Sequence, residues 1–270
     1  MGQLEGRVAF ITGAARGQGR NHAIRLAREG ADIIAVDVCA AVSSDNGYIP
    51  ATAEDLAETR NLIEAEGRKA LVAEADVRDS SALQAVVDRG VEQFGRLDIV
   101  IANAGICNWS RFWEMPDEQW STLLDINLTG VWKTLKATVP AMIAAGNGGS
   151  IITVSSVAGL KALPAQAHYS AAKHGVVGLT KSAAIELGEF KIRVNSIHPY
   201  GVDTPMGNDA NALAVFRNYP RYLASFGSIL TDSPLAAPDD VSDAVLWLAS
   251  DASRTVTGSQ LALDMGATKV

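Results

Sequence analysis

The chain has 270 residues, enough for the core of one α/β domain, and its formal net charge of -7 disfavours binding to nucleic acid or an anionic membrane. The two cysteines and four histidines form neither a disulfide framework nor a metal-ligand pattern. No apolar run reaches membrane-spanning length and no signal peptide precedes the first strand, so we expect a cytoplasmic protein without a metal.

A glycine-rich turn follows the first predicted strand, an apolar run over residues 7–11. A helix over residues 18–29 comes next, and a second strand over 32–36 ends at Asp37. This order is the context of a dinucleotide site, because glycines let backbone N–H groups approach a pyrophosphate at a helix N-terminus. The candidate cofactor-binding residues of the turn are Gly13, Arg16, Gly17, Gln18 and Gly19.

Asp37 favours NAD over NADP. Its carboxylate can accept hydrogen bonds from the adenosine ribose and would repel a 2′-phosphate. Arg16 could lie near a 2′-phosphate, but Asp37 opposes it. The polar, turn-rich segment 38–53, which begins at Val38, is longer than a usual loop between strand and helix. We interpret it as an insertion beside the adenosine end, either a surface excursion or a cover over the cofactor.

Further cofactor contacts are expected where the next two strands end. Strand 69–75 leads into Asp76 and Val77, where Asp76 either binds the adenine amino group or caps the following helix. Strand 97–102 leads into Asn103, Ala104 and Gly105, whose small size lets the backbone lie against the ribose. In the loop that follows, Trp109 and Trp113 either wall an apolar substrate pocket or pack within the loop.

Helix 117–144 is predicted to bend near Asn127, because Asn and Gly are poor helix formers. Strand 150–154 runs into Ser156. In the helix over 167–187, Tyr169 and Lys173 are four residues apart and lie on one face. A nearby cation favours phenolate over phenol, so we expect Lys173 to lower the pKa of Tyr169 and make it a general base.

The last part of the chain contains a strand over 192–197, a weakly periodic stretch and a final helix and strand. We interpret residues 200–237 as a mobile lid over the substrate. Alternating strands and helices predict a doubly wound parallel sheet, a Rossmann fold, with helices on both faces in a single domain over 1–270.

Together these motifs resemble the short-chain dehydrogenase/reductase family over essentially the full length. The resemblance implies a catalytic tetrad of Asn127, Ser156, Tyr169 and Lys173, with Ser156 assigned because it lies thirteen positions before Tyr169. It also implies that Lys173 and Tyr169 contact the cofactor, together with residues after the sixth strand. These are Val202, Thr204 and Met206, while Tyr200, a candidate pocket residue, stands where the family usually has glycine.

The insertion, the helix after it and the 198–206 segment are similar to the carveol-dehydrogenase-like, mycofactocin-associated branch. That resemblance implies a tightly held NAD, a homotetramer, a mycofactocin-type redox partner and a secondary alcohol on an apolar, terpene-like ring. Two alternatives remain open at this point. One is an NAD(P)H-dependent ketone reductase of steroid or acyl-carrier type, and the other is a cofactor-binding sensor without turnover.

Overall fold

The computed structural model describes residues 2–230 and 235–270. Within them, seven strands form one parallel sheet in the order β3-β2-β1-β4-β5-β6-β7, as the alternating pattern predicts. The strands are β1 (Val8–Thr12), β2 (Asp32–Asp37), β3 (Ala70–Glu74), β4 (Ile99–Ala102), β5 (Gly149–Val154), β6 (Ile192–Pro199) and β7 (Gln260–Leu263).

Helices connect the strands and cover both faces of the sheet. They are α1 (Gly17–Arg28), α2 (Ala53–Ala65), α3 (Ser80–Phe94), α4 (Asp117–Leu124), α5 (Gly130–Ala145), α6 (Ala167–Leu187), α7 (Ala210–Asn218) and α8 (Pro238–Ala249). No helix in the part of the chain described is long and apolar enough to cross a membrane.

The inner strands are buried because each faces a core on both sides, whereas the edge strands β3 and β7 are only partly buried. Along β1, Phe10 packs into one apolar cluster and Ile11 into the other, and both are fully buried. The chain passes from β3 back across the sheet to β4, which pairs with the other edge of β1. Loops leaving β1 and β4 therefore diverge at their carboxyl ends and leave a crevice, the place where open parallel sheets bind ligands.

The predicted bend near Asn127 is a turn of π-helix, residues 125–129, between α4 and α5. The N–H of Gly130 donates to the carbonyl of Asp125, five residues back. Gly130 also packs closely on the end of β3, since a Cβ there would lie 2.6 Å from Cγ2 of Val77. A larger residue at position 130 would press on Val77, so glycine allows the bend to pack this close to the sheet.

The segment predicted as a lid has more regular structure than its weak periodicity indicates. It contains α7 and a 3₁₀ segment over Pro220–Phe226. Asp209 caps α7 by accepting a hydrogen bond from the N–H of Asn211 at 2.7 Å. Short helices with one half-buried aromatic face give too few repeats to register as a pattern. Residues 231–234 of the predicted lid lie outside the described residues.

Candidate active site

One continuous cleft of about 540 Å³ lies at the carboxyl edge of the sheet, between the glycine turn and the lid segment 200–237. Most of the residues predicted for the site line it. They are Gly13, Arg16, Gly17, Gln18, Gly19, Asp37, Val38, Asp76, Val77, Asn103, Ala104, Gly105, Trp109, Ser156, Tyr169, Lys173, Tyr200, Val202, Thr204 and Met206. The two exceptions are Asn127, which lies behind the cleft wall, and Trp113.

The turn after β1 has the geometry needed to hold a pyrophosphate. Gly13 and Gly17 have φ values of 68° and 57°, a region that L side chains rarely adopt. A Cβ at Gly19 would lie 2.1 Å from the carbonyl oxygen of Gly13, so only glycine allows the helix to start this close to the strand. No side chain caps α1, and its first turn carries no acid. Its N–H groups therefore remain available to an anion.

Asp37 ends β2 on the same edge, and two backbone amides hold its carboxylate. Ala15 donates to Oδ2 at 3.0 Å and Cys39 donates to Oδ1 at 3.1 Å. The fixed negative charge lies beside the glycine turn, where an adenosine ribose would lie. Arg16 points elsewhere, since its guanidinium donates to the carbonyl of Ile49 in the insertion. The charge arrangement fits NAD and disfavours a 2′-phosphate, as the sequence predicts.

Asp76 has a strong internal partner. Arg78 donates to its carboxylate through Nε at 2.9 Å and Nη2 at 2.6 Å, and through its backbone N–H at 2.8 Å. Bidentate pairing of this kind fixes the carboxylate, which still lines the cleft. Arg78 Nε also contacts Oδ1 at 3.1 Å, so each oxygen already accepts two hydrogen bonds and an adenine amino group would have to share the carboxylate with Arg78.

Ser156, Tyr169 and Lys173 meet at the other end of the cleft. The Ser156 hydroxyl lies close enough to the Tyr169 phenol to favour its charged form. The Lys173 ammonium donates to the carbonyl of Val154 at 2.8 Å and lies 5.4 Å from the centroid of the Tyr169 ring. Helix α6 supplies two of these groups and the end of β5 the third, so this end of the sheet presents a hydroxyl pair next to a cation.

The pKa of Tyr169 differs from the sequence-based prediction. Burial raises this pKa above the usual value for a phenol, and the Cys107 thiol raises it further, while the Ser156 hydroxyl lowers it. Burial also lowers the pKa of Lys173 to about 8. The expected lowering of the Tyr169 pKa by Lys173 is therefore wrong for the protein alone. The reason is desolvation, which disfavours both charged forms and which sequence spacing does not reveal.

Asn127 is fully buried and its side chain is occupied. Its Oδ1 accepts from the N–H of Ile106 at 2.8 Å, and its Nδ2 donates to the carbonyl of Ile106 at 2.7 Å. The amide thus fixes the loop after β4 against the π turn. Its Oδ1 also lies 3.3 Å, and Lys173 Nζ lies 3.7 Å, from where a Cβ on Gly105 would sit, so Asn127 and Lys173 face the same small residue.

Two neighbouring hydroxyls follow β5, and only one of them is free to meet a substrate. Ser155 is buried and donates to the carbonyl of Lys173 at 3.0 Å, which ties it to helix α6. Ser156 turns towards Tyr169, and its carbonyl is held by Nδ1 of the buried His198 at 2.8 Å. Their contacts favour Ser156 as the catalytic serine and give Ser155 a structural role.

Aromatic side chains wall the end of the cleft beyond Tyr169. Trp109 meets Phe216 and Phe226 of the lid segment with ring centroids 5.6 Å and 5.8 Å away, and the two phenylalanines are 4.9 Å apart. Tyr200 fastens the same lid, because its hydroxyl donates to the carbonyl of Phe226. An apolar surface of this kind suits an apolar substrate.

Trp113 does not line the cleft and instead packs within its loop, so its assignment to the substrate pocket is wrong and the alternative that the sequence leaves open holds. Its side chain is 60% exposed. The guanidinium of Arg111 lies 4.8 Å over its ring, and Phe112 packs edge-on at 5.0 Å. Arg111 lies 4.7 Å over Tyr219 as well, so this group joins the loop after β4 to the lid segment from the outside.

The insertion covers the cleft, which decides between the two interpretations that the sequence leaves open. Nine of its residues line the cavity: Val38, Ala40, Ala41, Val42, Ser43, Asn46, Tyr48, Pro50 and Ala51. It also contacts the lid, since Asn211 donates to the carbonyl of Asp45 at 3.0 Å and the N–H of Ala210 donates to the carbonyl of Gly47 at 3.4 Å. Insertion and lid therefore close over the cleft together.

Several lining residues are not predicted from the sequence as site residues. They are Tyr48, Ile106, Cys107, Leu163, Gln166, Phe216, Leu223 and Phe226. The sequence offers one signal for such lining residues, which is an aromatic residue in a segment without periodicity. Tyr48 is the example, since it is the only aromatic residue of the insertion. The others reach the cleft through tertiary packing, for which the local sequence carries no mark.

The chain was compared with known proteins. Residues 13–268 match the family described as enoyl-(acyl carrier protein) reductase. An NAD-dependent oxidoreductase of Mycobacterium tuberculosis is 59% identical over 99% of this chain and 98% of that protein. The (-)-trans-carveol dehydrogenase of Rhodococcus erythropolis is 49% identical over 99% of both chains. A short-chain dehydrogenase of Mycobacterium paratuberculosis, solved bound to NAD, aligns over the full length of both chains with a TM-score of 0.97 and 48% identity.

Proposed function

Because the chain belongs to the short-chain dehydrogenase/reductase family and is an NAD-dependent oxidoreductase, we propose that it oxidises a secondary alcohol on an apolar ring. The observation that carries the proposal is the cluster of Ser156, Tyr169 and Lys173, which faces the aromatic end of the cleft. The similarity to a carveol dehydrogenase supports a cyclic alcohol of terpene type.

In the proposed reaction, the substrate hydroxyl binds between Ser156 and Tyr169. Ser156 donates to the substrate oxygen, and the phenolate of Tyr169 accepts its proton. Because burial raises the pKa of Tyr169 in the protein alone, we expect the phenolate to need the positive charge of a bound nicotinamide in addition to the Lys173 ammonium near the ring. When bound in the cleft, NAD would supply the acceptor for the hydride of the carbinol carbon. Asn127 keeps one Oδ1 lone pair and one Nδ2 hydrogen beyond its two bonds to Ile106, and it would position a water that relays the proton to solvent.

We also propose that NAD stays bound between turnovers. Lid and insertion contact each other above the cleft, so NAD can leave only when they separate. A reduced cofactor that does not exchange needs an external electron acceptor, which supports the mycofactocin-type partner. The acyl-carrier alternative is less well supported, because Trp109, Phe216 and Phe226 close the end through which a long acyl arm would pass.

A homotetramer in the cytoplasm completes the proposal. Large apolar side chains remain exposed on α6 and just after it, where Ile185 is 83% and Phe190 is 38% exposed. Contact with another copy would cover them. Light scattering on the purified protein would give the mass of four chains if the proposal holds, and the mass of one chain would contradict it.

The substrate proposal can be tested by incubating the purified protein with carveol, first with free NAD and then with an artificial dye acceptor. We expect dye reduction and little accumulation of free NADH. Rapid accumulation of NADH would support dehydrogenase activity but contradict the proposal that NAD stays bound between turnovers. No dye reduction with carveol or with saturated ring alcohols would contradict the proposed substrate class.

A further inference from the structure

The insertion places a second phenol beside the catalytic tyrosine. Tyr48 lines the cleft, and its oxygen accepts a hydrogen bond from the N–H of Cys107 at 3.4 Å. Cys107 is buried and contacts Gln166, which precedes helix α6 and lies three positions before Tyr169. The insertion, which starts beside Asp37 at the adenosine end, therefore reaches the catalytic end of the cleft.

In the part of the chain that the structure describes, the hydrogen bonds of Tyr48 use its oxygen as an acceptor but not its O–H as a donor. Its oxygen already accepts from a backbone N–H, and its O–H meets no acceptor among the described residues. Burial raises the pKa of this phenol above its usual value, so the group keeps its proton over the working range of pH. A protonated phenol in this state is a hydrogen-bond donor that points at whatever fills the cleft.

The surroundings define what such a donor can bind. Gln166, which is 4% exposed, donates to the sulfur of Cys107 at 2.8 Å and adds a second polar group beside Tyr48. The charged side chains among the described lining residues are Arg16, Asp37, Asp76 and Lys173. Three of them lie at the cofactor end, and Lys173 is bonded to the carbonyl of Val154. A carboxylate would thus find no free cation at this polar group, whereas an uncharged oxygen would find a donor.

We infer that Tyr48 is a specificity-determining residue. Its O–H donates to a second, uncharged acceptor oxygen, a keto or ether group, carried by the ring whose hydroxyl is oxidised. Ser156 and Tyr169 hold the reacting oxygen, and the aromatic wall of Trp109 and Phe216 contacts the ring between the two oxygens. The inference rests on the proposed function, because it assumes that the reacting alcohol binds at Tyr169. Among apolar ring alcohols, it predicts a preference for those that carry a second neutral oxygen.

The test compares wild-type holoenzyme with Tyr48→Phe, which removes the hydroxyl and keeps the ring. Tyr222→Phe is the matched control, since Tyr222 lies on the lid segment but does not line the cleft. Calorimetric titration measures Kd for cyclohexanol and for 3- and 4-hydroxycyclohexanone. Binding is measured directly, so the result does not depend on turnover.

We expect wild type to bind at least one hydroxyketone more tightly than cyclohexanol. Tyr48→Phe should raise the Kd of that hydroxyketone about three- to tenfold, as expected for the loss of one hydrogen bond to an uncharged partner. The Kd of cyclohexanol should stay unchanged. Tyr222→Phe should change neither. Equal effects of Tyr48→Phe on both ligands, or no effect on either, would overturn the inference. If Tyr48→Phe weakens only the hydroxyketone but the wild-type protein reduces no dye, the proposed function is refuted while the Tyr48 subsite is supported.

Discussion

Gly47 lies where the insertion meets the lid, and replacing it with alanine should speed the release of NAD. A Cβ on Gly47 would lie 2.0 Å from Oδ1 of Asp209 and 2.8 Å from the backbone nitrogen of Asn211. These atoms form the N-cap of α7, so the lid helix must move away from the insertion. The φ of Gly47 is not positive, so alanine strains the contact and not the local backbone.

The magnitude follows from the hydrogen bonds that cross this contact. Asn211 donates to the carbonyl of Asp45, and Ala210 donates to the carbonyl of Gly47. Each neutral hydrogen bond contributes about 0.5–1.5 kcal/mol. Losing both lowers the barrier to opening by about 1–3 kcal/mol, which corresponds to release about 5- to 150-fold faster.

The rate can be measured by mixing the holoenzyme with excess fluorescent etheno-NAD and following its uptake. Gly188→Ala serves as the control, because a Cβ at Gly188 meets nothing within 4 Å. Thermal unfolding of all three proteins checks that the fold is intact. If Gly47→Ala is folded and exchanges NAD at the wild-type rate, the contact between insertion and lid does not retain the cofactor.

Two further predictions concern charged residues of the cleft. Asp37→Ala removes the carboxylate that two backbone amides hold, so NAD affinity should fall about ten- to hundredfold and the preference over NADP should narrow. Unchanged relative affinities, measured by titration with both cofactors, would show that Asp37 does not select NAD. Lys173→Met should abolish turnover and also remove a pH dependence of stability. Since the pKa of Lys173 falls from 10.5 to about 8 on folding, the unfolded chain binds more protons between these values, and wild-type stability should rise with pH there by about 3 kcal/mol relative to the variant. Urea unfolding from pH 8 to 10.5 measures the difference between the two proteins, and parallel curves would contradict it.

Local features of the sequence predict the glycine turn, Asp37 and the catalytic pair. The glycine turn, Asp37 and the Tyr169–Lys173 pair each depend on residues a few positions apart, so strand, turn and helix geometry places them. The bend at Asn127 is predicted for the same reason, because helix propensity is local. The parallel sheet follows from the alternation of elements, which leaves few topologies.

The substrate end depends on contacts between distant segments, which no local pattern encodes. Tyr48 reaches Cys107 over 59 positions, and Trp109 meets phenylalanines of the lid more than a hundred positions away. The position of Trp113 also depends on a side-chain contact, because the guanidinium of Arg111 lies over its ring at the surface. The direction of the Tyr169 pKa also depended on burial, which only the folded chain determines.

The most direct test of the account is a single turnover of Tyr169→Phe and wild-type holoenzyme with a ring alcohol deuterated at the carbinol carbon. Absorbance of the bound reduced nicotinamide gives the rate of hydride transfer without exchange of the cofactor. We predict that wild type shows reduction with a deuterium isotope effect, and that the variant keeps its NAD but reacts about 10²- to 10⁴-fold more slowly. A variant with bound NAD and a near-wild-type rate would contradict the assignment of Tyr169 as the base.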